Sequence, residues 1–585
     1  MAGADPTARD PELPSFVKSL FGGEIADGLV FPYPRLRPTE SEALEAWLGD
    51  LRRFLDAKVD GDAFDEAADL PEAVIRGMAE IGLLGLTVPI RYDGLGFRHL
   101  QAMPVLTEIG TRDAGLGVLL GAHLEIGLGG LLLFGTEEQK RRWIPACARG
   151  ETLAAFALTE PEHGSDARHI ESRAVRAPDG RGWILNGRKI WIGNAHRAGL
   201  LTAFAQTPVE RDGETVDRVT AFVVQGDDQG LKIGRLWKGE KLGIRSSTQA
   251  EVIFDDVRLS DDRVIGEVGK GFKIAMQVLN GGRLGLAAFA VGGMRKATED
   301  AAAFAAGRRQ FDRPIADFDL IREKLARMRI DAWVAEAMVT VTAELADRGD
   351  HDWSLEAAIC KVYASDAAWR TADDALQIAG GRGYMTDRPF ERYLRDARIL
   401  PIFEGTNEIL RLFVGLAGME PLGERLAGVG RALRDPVKEF GLLSSFAWHR
   451  LQDVAGDPDA EVEVAGPLRG PQKVLEQFAG ILHGNAARLI REHGRDLPER
   501  QIPVARLADV AIESYALACA LSRAQAAIEA RGEEGAAGEI DLVRQFSRIA
   551  GARVRVARFQ LEDDRTERIR RIGGGPVAEQ RGARA

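Results

Sequence analysis

Apolar positions recur at intervals of three and four through "SEALEAWLGDLRRFLDAKV", so a helix is predicted to begin near Ser41. The same period continues to about Gly150, broken at glycines and prolines. The texture changes at Thr152. "LAAFALT", "GWILNGRKIWI", "VTAFVV" and "AEVIFDDVRL" are short, rich in β-formers and bounded by turn residues. Asn186-Gly187 reads as a hairpin turn among them. Long helical periods return with "GFKIAMQVLNGGRLGLAAFAVGGMRKATEDAAAFAA" and continue through "LIREKLARMRIDAWVAEAMVTVTAELA" and "EAAICKVYASDAAWRTADDALQIA", at the loop spacing of a bundle. Several glycines mark a break near 415–435, residues 436–470 are irregular, and further helices are predicted near 471–493, 503–531 and 537–571.

The pattern divides the chain into a proline-rich N-terminal extension (1–42), an N-terminal helical domain (43–151), a middle β domain (152–262), a second helical domain (263–415) and an additional C-terminal helical domain (416–585). The last stretch, "GGGPVAEQRGARA", reads as disordered. The expected fold class is mainly α with a central β domain. A β segment between two helical bundles is not a dinucleotide-binding arrangement, and "GGRGY" at Gly380–Tyr384 follows a helix rather than a strand.

Composition narrows the function. The 585 residues exceed one ordinary core, and 45% apolar with 28% charged content is globular. A formal net charge of −11 disfavours nucleic acid as a partner. Basic runs such as Arg308-Arg309 and 565–571 read as local solvated faces. Cys147, Cys360 and Cys519 lie far apart with no CxxC, which fits a reducing compartment, and no histidine spacing suggests a metal site. No apolar run is expected to reach the roughly 18–20 residues that span a bilayer; the longest glycine-rich apolar stretch, Ile126–Gly135, is short of it. The N-terminus lacks signal and transit patterns, so a cytoplasmic protein is expected.

Five stretches carry candidate chemistry, each with a plainer reading beside it. "PIFEGTNEILR" places Glu404 at a joint between apolar residues and a helix that Thr406 and Asn407 suit as caps; Glu408 would then be a first-turn carboxylate. "FALTEPEHGSDA" ends a β-rich run in a loop offering hydroxyls and N–H groups to a planar polar ligand, or is a surface turn. "KIWIGNA" sets Trp191 at a strand end, as core or as a stacking surface. "GRRQFDRPI" offers Arg308 and Arg309 to phosphate or to solvent. "QIAGGRGY" gives Gly380 and Gly381 as helix C-caps or as a close backbone approach to a ligand.

In this order and at these separations, the motifs resemble the acyl-CoA dehydrogenase family over about residues 43–415. "FPYP" near Phe31, "LGAHLEIGLGGLLLFGT", "GFKIAMQVLNGGR" and the long helical tail resemble its very-long-chain branch. The resemblance implies a helical bundle, a β-barrel-like middle domain and a second bundle, with FAD as cofactor. It implies that Phe156, Ala157, Leu158, Thr159 and Ser165 hold the flavin ring, with Trp191, Ile192 and Gly193 beside it. Arg308, Gln377, Gly380 and Gly381 would hold the pyrophosphate and adenosine part of a partner subunit's FAD, and Thr406 and Glu408 the phosphates of the chain's own. Ser165, Asn280, Arg283, Phe403 and Gly405 match substrate-contacting positions.

Glu404 then resembles the base that removes the α-proton of a long-chain acyl-CoA, with the β-hydrogen leaving as hydride to give a trans-2-enoyl-CoA. One branch carries its base just before the arginine that matches Arg283; here that residue is Gly282. Gly127 and Gly130, one helical turn apart, suggest room for a long acyl tail, or else close helix packing. Gly193 replaces a hydroxyl residue usual beside the flavin, which keeps an acyl-CoA oxidase open beside a dehydrogenase that uses electron-transfer flavoprotein. A non-catalytic assembly role stays open as well. The tail implies a homo-oligomer, a dimer by preference. A peripheral membrane contact through Leu442, Leu443, Phe446 and Trp448, at the inner face of the membrane, stands against an ordinary linker.

Overall fold

The computed structural model describes residues 14–211, 213–427, 464–563 and 565–582, with side chains to 423 and from 464 to 577. They fall into two compact units. The first takes residues 34–406; the second takes 14–33, 407–427 and 464–582. In chain order the helices of the first half are α1 (Phe16–Gly22), α2 (Pro38–Lys58), α3 (Gly61–Ala67), α4 (Glu72–Glu80), α5 (His99–Gly110), α6 (Ala114–Gly121), α7 (Gly129–Phe134) and α8 (Glu137–Ala148). A π-helical turn, Ala122–Gly127, joins α6 to α7. The period read from sequence is visible in α2, which starts with Pro38 in its first turn and buries Leu44, Leu48, Leu51 and Leu55.

Strands β1 (Leu153–Ala157), β2 (Arg173–Arg176), β3 (Trp183–Gly193), β4 (Ala198–Arg211), β5 (Glu214–Gln225), β6 (Leu231–Trp237), β7 (Gln249–Leu259) and β8 (Val264–Ile265) form one mixed sheet in the order β6-β7-β3-β2-β4-β5-β8, with β1 parallel to β4. Its core joins Ala155, Leu201, Phe222 and Val252. Asn186-Gly187 is not a hairpin turn: it lies inside β3 at a bulge, where the register slips between Leu185 and Gly187. The Asn186 amide donates to Asp256 Oδ1 (2.9 Å) and Asn186 Oδ1 accepts from the Asp256 N–H (2.8 Å). Gly187 (φ +152°) is packed so closely that a Cβ there would strike the Ser172 side chain.

The second helical part of this unit is built on α9 (Gly271–Gly307), α10 (Asp319–Arg348) and α11 (Ser354–Ala379), followed by the short α12 (Phe390–Ala397). A two-stranded hairpin, β9 (Arg309–Gln310) with β10 (Arg313–Pro314), links α9 to α10. α9 packs against α5, α10 and α11. Two stretches among the described residues, Ala114–Phe134 and Gly271–Gly307, are in fact long and apolar enough to cross a bilayer, because glycine and alanine extend the apolar run across the breaks. Both are mostly buried within the protein.

The second unit holds α13 (Asn407–Ala427), α14 (Arg469–His493), α15 (Gln501–Gly535), α16 (Ala537–Glu562) and α17 (Thr566–Gly582), and α1 packs among α13, α14 and α15. So part of the expected N-terminal extension belongs with the C-terminal helices: the carbonyl of Val30 accepts from Ser522 Oγ (2.7 Å) and that of Phe21 bonds the His483 ring (3.0 Å). The expected break at 415 is absent because α13 runs through it. Its glycines serve contact: a Cβ at Gly415 would stand 2.6 Å from Val504 Cγ1, and one at Gly418 would enter the Phe21 ring. The end expected to be disordered from Gly573 is helical through Gly582, continuing the turns that begin at Thr566. The linker residues Leu442, Leu443, Phe446 and Trp448 lie outside the described residues.

Gly418→Leu is expected to destabilise the second unit by about 1–3 kcal/mol through overpacking against Phe21. Urea unfolding followed by limited proteolysis of the C-terminal helices reads this; an unchanged midpoint would show that the glycine is not needed for the contact.

Candidate active site

The loop after β1 is fixed from β3. Lys189 Nζ donates to the Leu158 carbonyl (3.1 Å) and to Glu160 Oε1 (2.7 Å), and the Ile190 N–H donates to the Thr159 carbonyl (3.0 Å). Glu160 also accepts the N–H of Ser172 (2.9 Å) and that of Glu171. The pair is deeply buried, with Lys189 0% and Glu160 3% exposed. Burial lowers the Lys189 ammonium to about 8 against the pull of Glu160. For Glu160 burial pushes upward, but Lys189 and the N–H donors win and hold the carboxyl below its usual range. The carbonyls of Leu158 and Thr159 are thus both committed to β3. Ser165 lies further along this loop and is exposed.

Two residues past Lys189 the strand bulges again, between Lys189 and Ile192. Trp191 sits at φ +56°, which a non-glycine residue adopts at a cost of roughly 1–3 kcal/mol. The bulge leaves its indole 58% exposed while Ile192 is buried. Gly193 has room, since a Cβ would meet only Ala122 Cβ at 3.5 Å. His123 ties the π-turn to β1: its Nδ1 accepts the Ala154 N–H (2.9 Å) and its Nε2 bonds the Leu84 carbonyl (3.0 Å). Burial lowers this imidazole to about 4, so it stays neutral.

Glu404 stands on a left-handed turn, at φ +57°, followed by Gly405 at φ +88°. Two buried cations hold the turn by its main chain. Arg283 Nε donates to the Glu404 carbonyl (3.2 Å), and Lys361 Nζ donates to the Gly405 carbonyl (2.8 Å). Arg283, 1% exposed, also donates to Asn280 Oδ1 (3.0 Å), and its Nη2 is buried without a partner. The Glu404 carboxyl likewise has Oε2 buried and unpartnered. Burial pushes that carboxyl above its usual range; Arg283 and Lys361 oppose the push and Glu125 adds to it. Burial lowers the Arg283 guanidinium to about 10, with Glu404 opposing.

Asn280, Arg283, Glu404 and Gly405 are therefore in one network, with Phe403 half-buried beside it. Phe156–Thr159 and Trp191–Gly193 form a second group, joined through Lys189 and Ile190. Arg308, Gln377, Gly380 and Gly381 are exposed; Gly380 takes φ +59°, ψ −139°, a conformation reserved for glycine, and nothing lies within 4 Å of a Cβ there or at Gly381. Thr406 ends the first unit, and Glu408 is in the first turn of α13 in the second.

Gly127 and Gly130 do not open onto free space. A Cβ at Gly127 would stand 2.6 Å from the Ala122 carbonyl oxygen and 2.9 Å from Ala154 Cβ, and one at Gly130 would stand 3.3 Å from Thr202 Cγ2. Their smallness serves the approach of helix to sheet. The nearby glycine with nothing within 4 Å of a Cβ is Gly121. Lys189, Glu160 and Lys361 escape sequence reasoning. Only the period-2 pattern, which points Lys189 inward, offered a signal.

Lys189→Met strands a buried carboxylate, and is expected to destabilise the first unit by about 3 kcal/mol or more. Adding Glu160→Gln should recover much of that loss in a denaturant titration; a single variant as stable as wild type would refute the clamp.

The acyl-CoA dehydrogenase N-terminal, middle and C-terminal domain families match residues 41–151, 155–257 and 269–418, and the ACAD9/ACADV C-terminal domain family matches 470–573. The very long-chain specific acyl-CoA dehydrogenase of Bos taurus mitochondria is 41% identical, covering 94% of this chain and 84% of its own. A probable acyl-CoA dehydrogenase of Mycobacterium tuberculosis, FadE10, is 34% identical over 92% of this chain and 85% of its own. Among solved structures, an acyl-CoA dehydrogenase complexed with FAD from Bacillus anthracis aligns at a TM-score of 0.77 and 28% identity, covering 93% of this chain and 91% of that one. With three family domains in sequence and relatives aligned along more than nine-tenths of its residues, this chain belongs to the acyl-CoA dehydrogenase family.

Proposed function

We propose that the protein is an FAD-dependent dehydrogenase that converts long-chain acyl-CoA to trans-2-enoyl-CoA, with Glu404 as its base. The observation that carries this reading is a buried carboxyl whose Oε2 has no protein partner, on a turn whose carbonyls are held by Arg283 and Lys361. The residues fit the cofactor. Trp191 offers an exposed indole face, the loop after β1 has its carbonyls turned to β3, and the exposed Gly380-Gly381 backbone, with nothing within 4 Å of a Cβ at either residue, lets a ligand approach closely. Phe156–Thr159, Ser165 and Trp191–Gly193 would hold the ring, Thr406 and Glu408 the phosphates, and Arg308, Gln377, Gly380 and Gly381 a partner subunit's adenosine end. FAD, when bound, supplies the acceptor for the β-hydrogen as hydride.

Glu404 takes the α-hydrogen as a proton. The two C–H bonds broken leave one C=C bond in the product. Desolvation makes the carboxylate a stronger base, and the acyl chain excludes water further. Asn280 and Arg283 orient the thioester, with Arg283 Nη2 the free donor. The reading carries partners with it: an acyl-CoA substrate, electron-transfer flavoprotein as electron acceptor, and a homodimer. Exposed Phe311 near Arg308, and Tyr384 and Met385 after Gly381, are apolar surface that a second subunit would cover. A cytoplasmic setting with peripheral membrane contact belongs to the same proposal. Gly193 favours a second reading, an oxidase in which oxygen takes the electrons, because no hydroxyl stands at that position; peroxide release during turnover in air separates the two.

Glu404→Gln is expected to abolish the bleaching of the yellow protein by hexadecanoyl-CoA under anaerobic conditions. In the wild type the base works only as carboxylate. With its affinity for protons raised, kcat/KM should fall as pH is lowered, with a midpoint above the ordinary 4.5. Native-rate bleaching by the variant would end the assignment. For chain length, Gly121→Phe should shift the preferred acyl group shorter in a C8–C20 series, and an unaltered profile would show that the tail runs elsewhere.

A further inference from the structure

A second carboxyl lies beside the base on the other side of a glycine pair in α9. A Cβ at Gly282 would stand 2.9 Å from Glu404 Oε2 and 3.0 Å from Ile126 Cγ2. One at the preceding residue, Gly281, would stand 2.8 Å from Glu125 Oε2. The Glu125 stem crosses the helix at Gly285, where a Cβ would be 3.5 Å from its Cγ. Glu125 is thus laid along the α9 face 281/285, presented by the π-turn Ala122–Gly127, a distortion that often marks functional sites. It is mostly buried, and among the described residues nothing hydrogen-bonds its carboxyl; the nearest influence of opposite sign is His99. One turn earlier on the same face of α9, Gln277 has its Oε1 buried with no partner.

An unsubstituted alkyl chain can satisfy neither group. Buried polar atoms left unmatched are costly, and sites built around them discriminate strongly against ligands without the matching group. Burial pushes the Glu125 carboxyl upward, towards its neutral form, in which it both donates and accepts. An alcohol can accept from that O–H and donate to Gln277 Oε1; a hydrocarbon does neither.

We propose that Glu125, with Gln277, is a specificity-determining residue that makes the acyl site select long-chain acyl-CoAs carrying a hydroxyl group a few carbons beyond the bond that is dehydrogenated. This rests on the proposed dehydrogenase reading and narrows its substrate class. Glu125 touches the acyl chain and not the reacting carbons, which belong to Glu404.

The test compares hexadecanoyl-CoA with hexadecanoyl-CoAs hydroxylated singly from the fourth to the eighth carbon, using the FAD-loaded wild type, Glu125→Leu and Glu125→Gln. The wild type is expected to show kcat/KM about 10-fold or more higher for at least one hydroxylated thioester than for the plain one. Glu125→Leu should reverse the preference, and Glu125→Gln, which keeps a donor and an acceptor, should retain it. Binding without turnover, read as the shift of the flavin spectrum in Glu404→Gln, should show the same order and does not require the leucine variant to fold. Equal ratios in wild type and Glu125→Leu, or a wild type that favours the plain chain throughout, overturn the inference while leaving the dehydrogenase intact. A wild type inert to every acyl-CoA overturns both.

Discussion

A carboxylate taken out of water has to be neutralised without being consumed, and the centre of this protein is arranged around that constraint. The two cations acting on Glu404, Arg283 and Lys361, each donate a hydrogen bond to a main-chain carbonyl of the turn. They lower the electrostatic cost of the buried charge from a short distance, yet leave Oε2 open. A direct ion pair would have stabilised the anion more and weakened it as a base. The same bonds hold Glu404 and Gly405 in consecutive left-handed conformations, a strained geometry that persists only where its surroundings fix it.

The loop after β1 solves a related problem with different parts. Lys189 and Glu160 form an ion pair removed from solvent, and its residual hydrogen-bonding capacity goes to the loop after β1. His123, neutral and buried, bonds the backbone of β1 on one ring nitrogen and that of the 83–85 turn on the other. A protonated imidazole could not accept the Ala154 N–H. Acid therefore loosens this joint: the unfolded chain takes up the proton at the ordinary 6.5, and the folded one only near 4. Between those values the contribution of His123 declines as pH falls.

Much of this was legible in the sequence where a residue's role is local. The glutamate between apolar residues and a helix start, the strand-end tryptophan and the glycine pair closing α11 all occupy the positions that their motifs imply. What was not legible depends on distant partners. Asn-Gly is a turn signal, but Asp256 on a neighbouring strand converts it into a bulge. Glycines at 415 and 418 read as a break until Val504 and Phe21 are seen against them. Lysine reads as solvated, so Lys361 gave no warning and Lys189 only the inward phase of its strand. Gly127 and Gly130 were ambiguous between space and contact, and Ala154 and Thr202 decide for contact.

The glycines of α9 show how far a negative image can be read. A helix interior loses roughly 1 kcal/mol at each glycine relative to alanine, yet α9 carries them at 281, 282, 285, 292 and 293. Four of these five have a close neighbour in the volume that a side chain would take: Glu125 at 281 and 285, Glu404 and Ile126 at 282, the Thr107 carbonyl at 292. Position 282 is the telling one. A side chain there would project to the point that the Glu404 carboxyl already occupies, so the two sequence positions at which the family's motifs place a base address one site in space. Gly282 is then required by the choice of Glu404: a helix that supplied its own carboxyl at 282 would exclude the one on the turn. The Glu404 carboxyl and the bare helix opposite it are a single feature, written in two places in the chain.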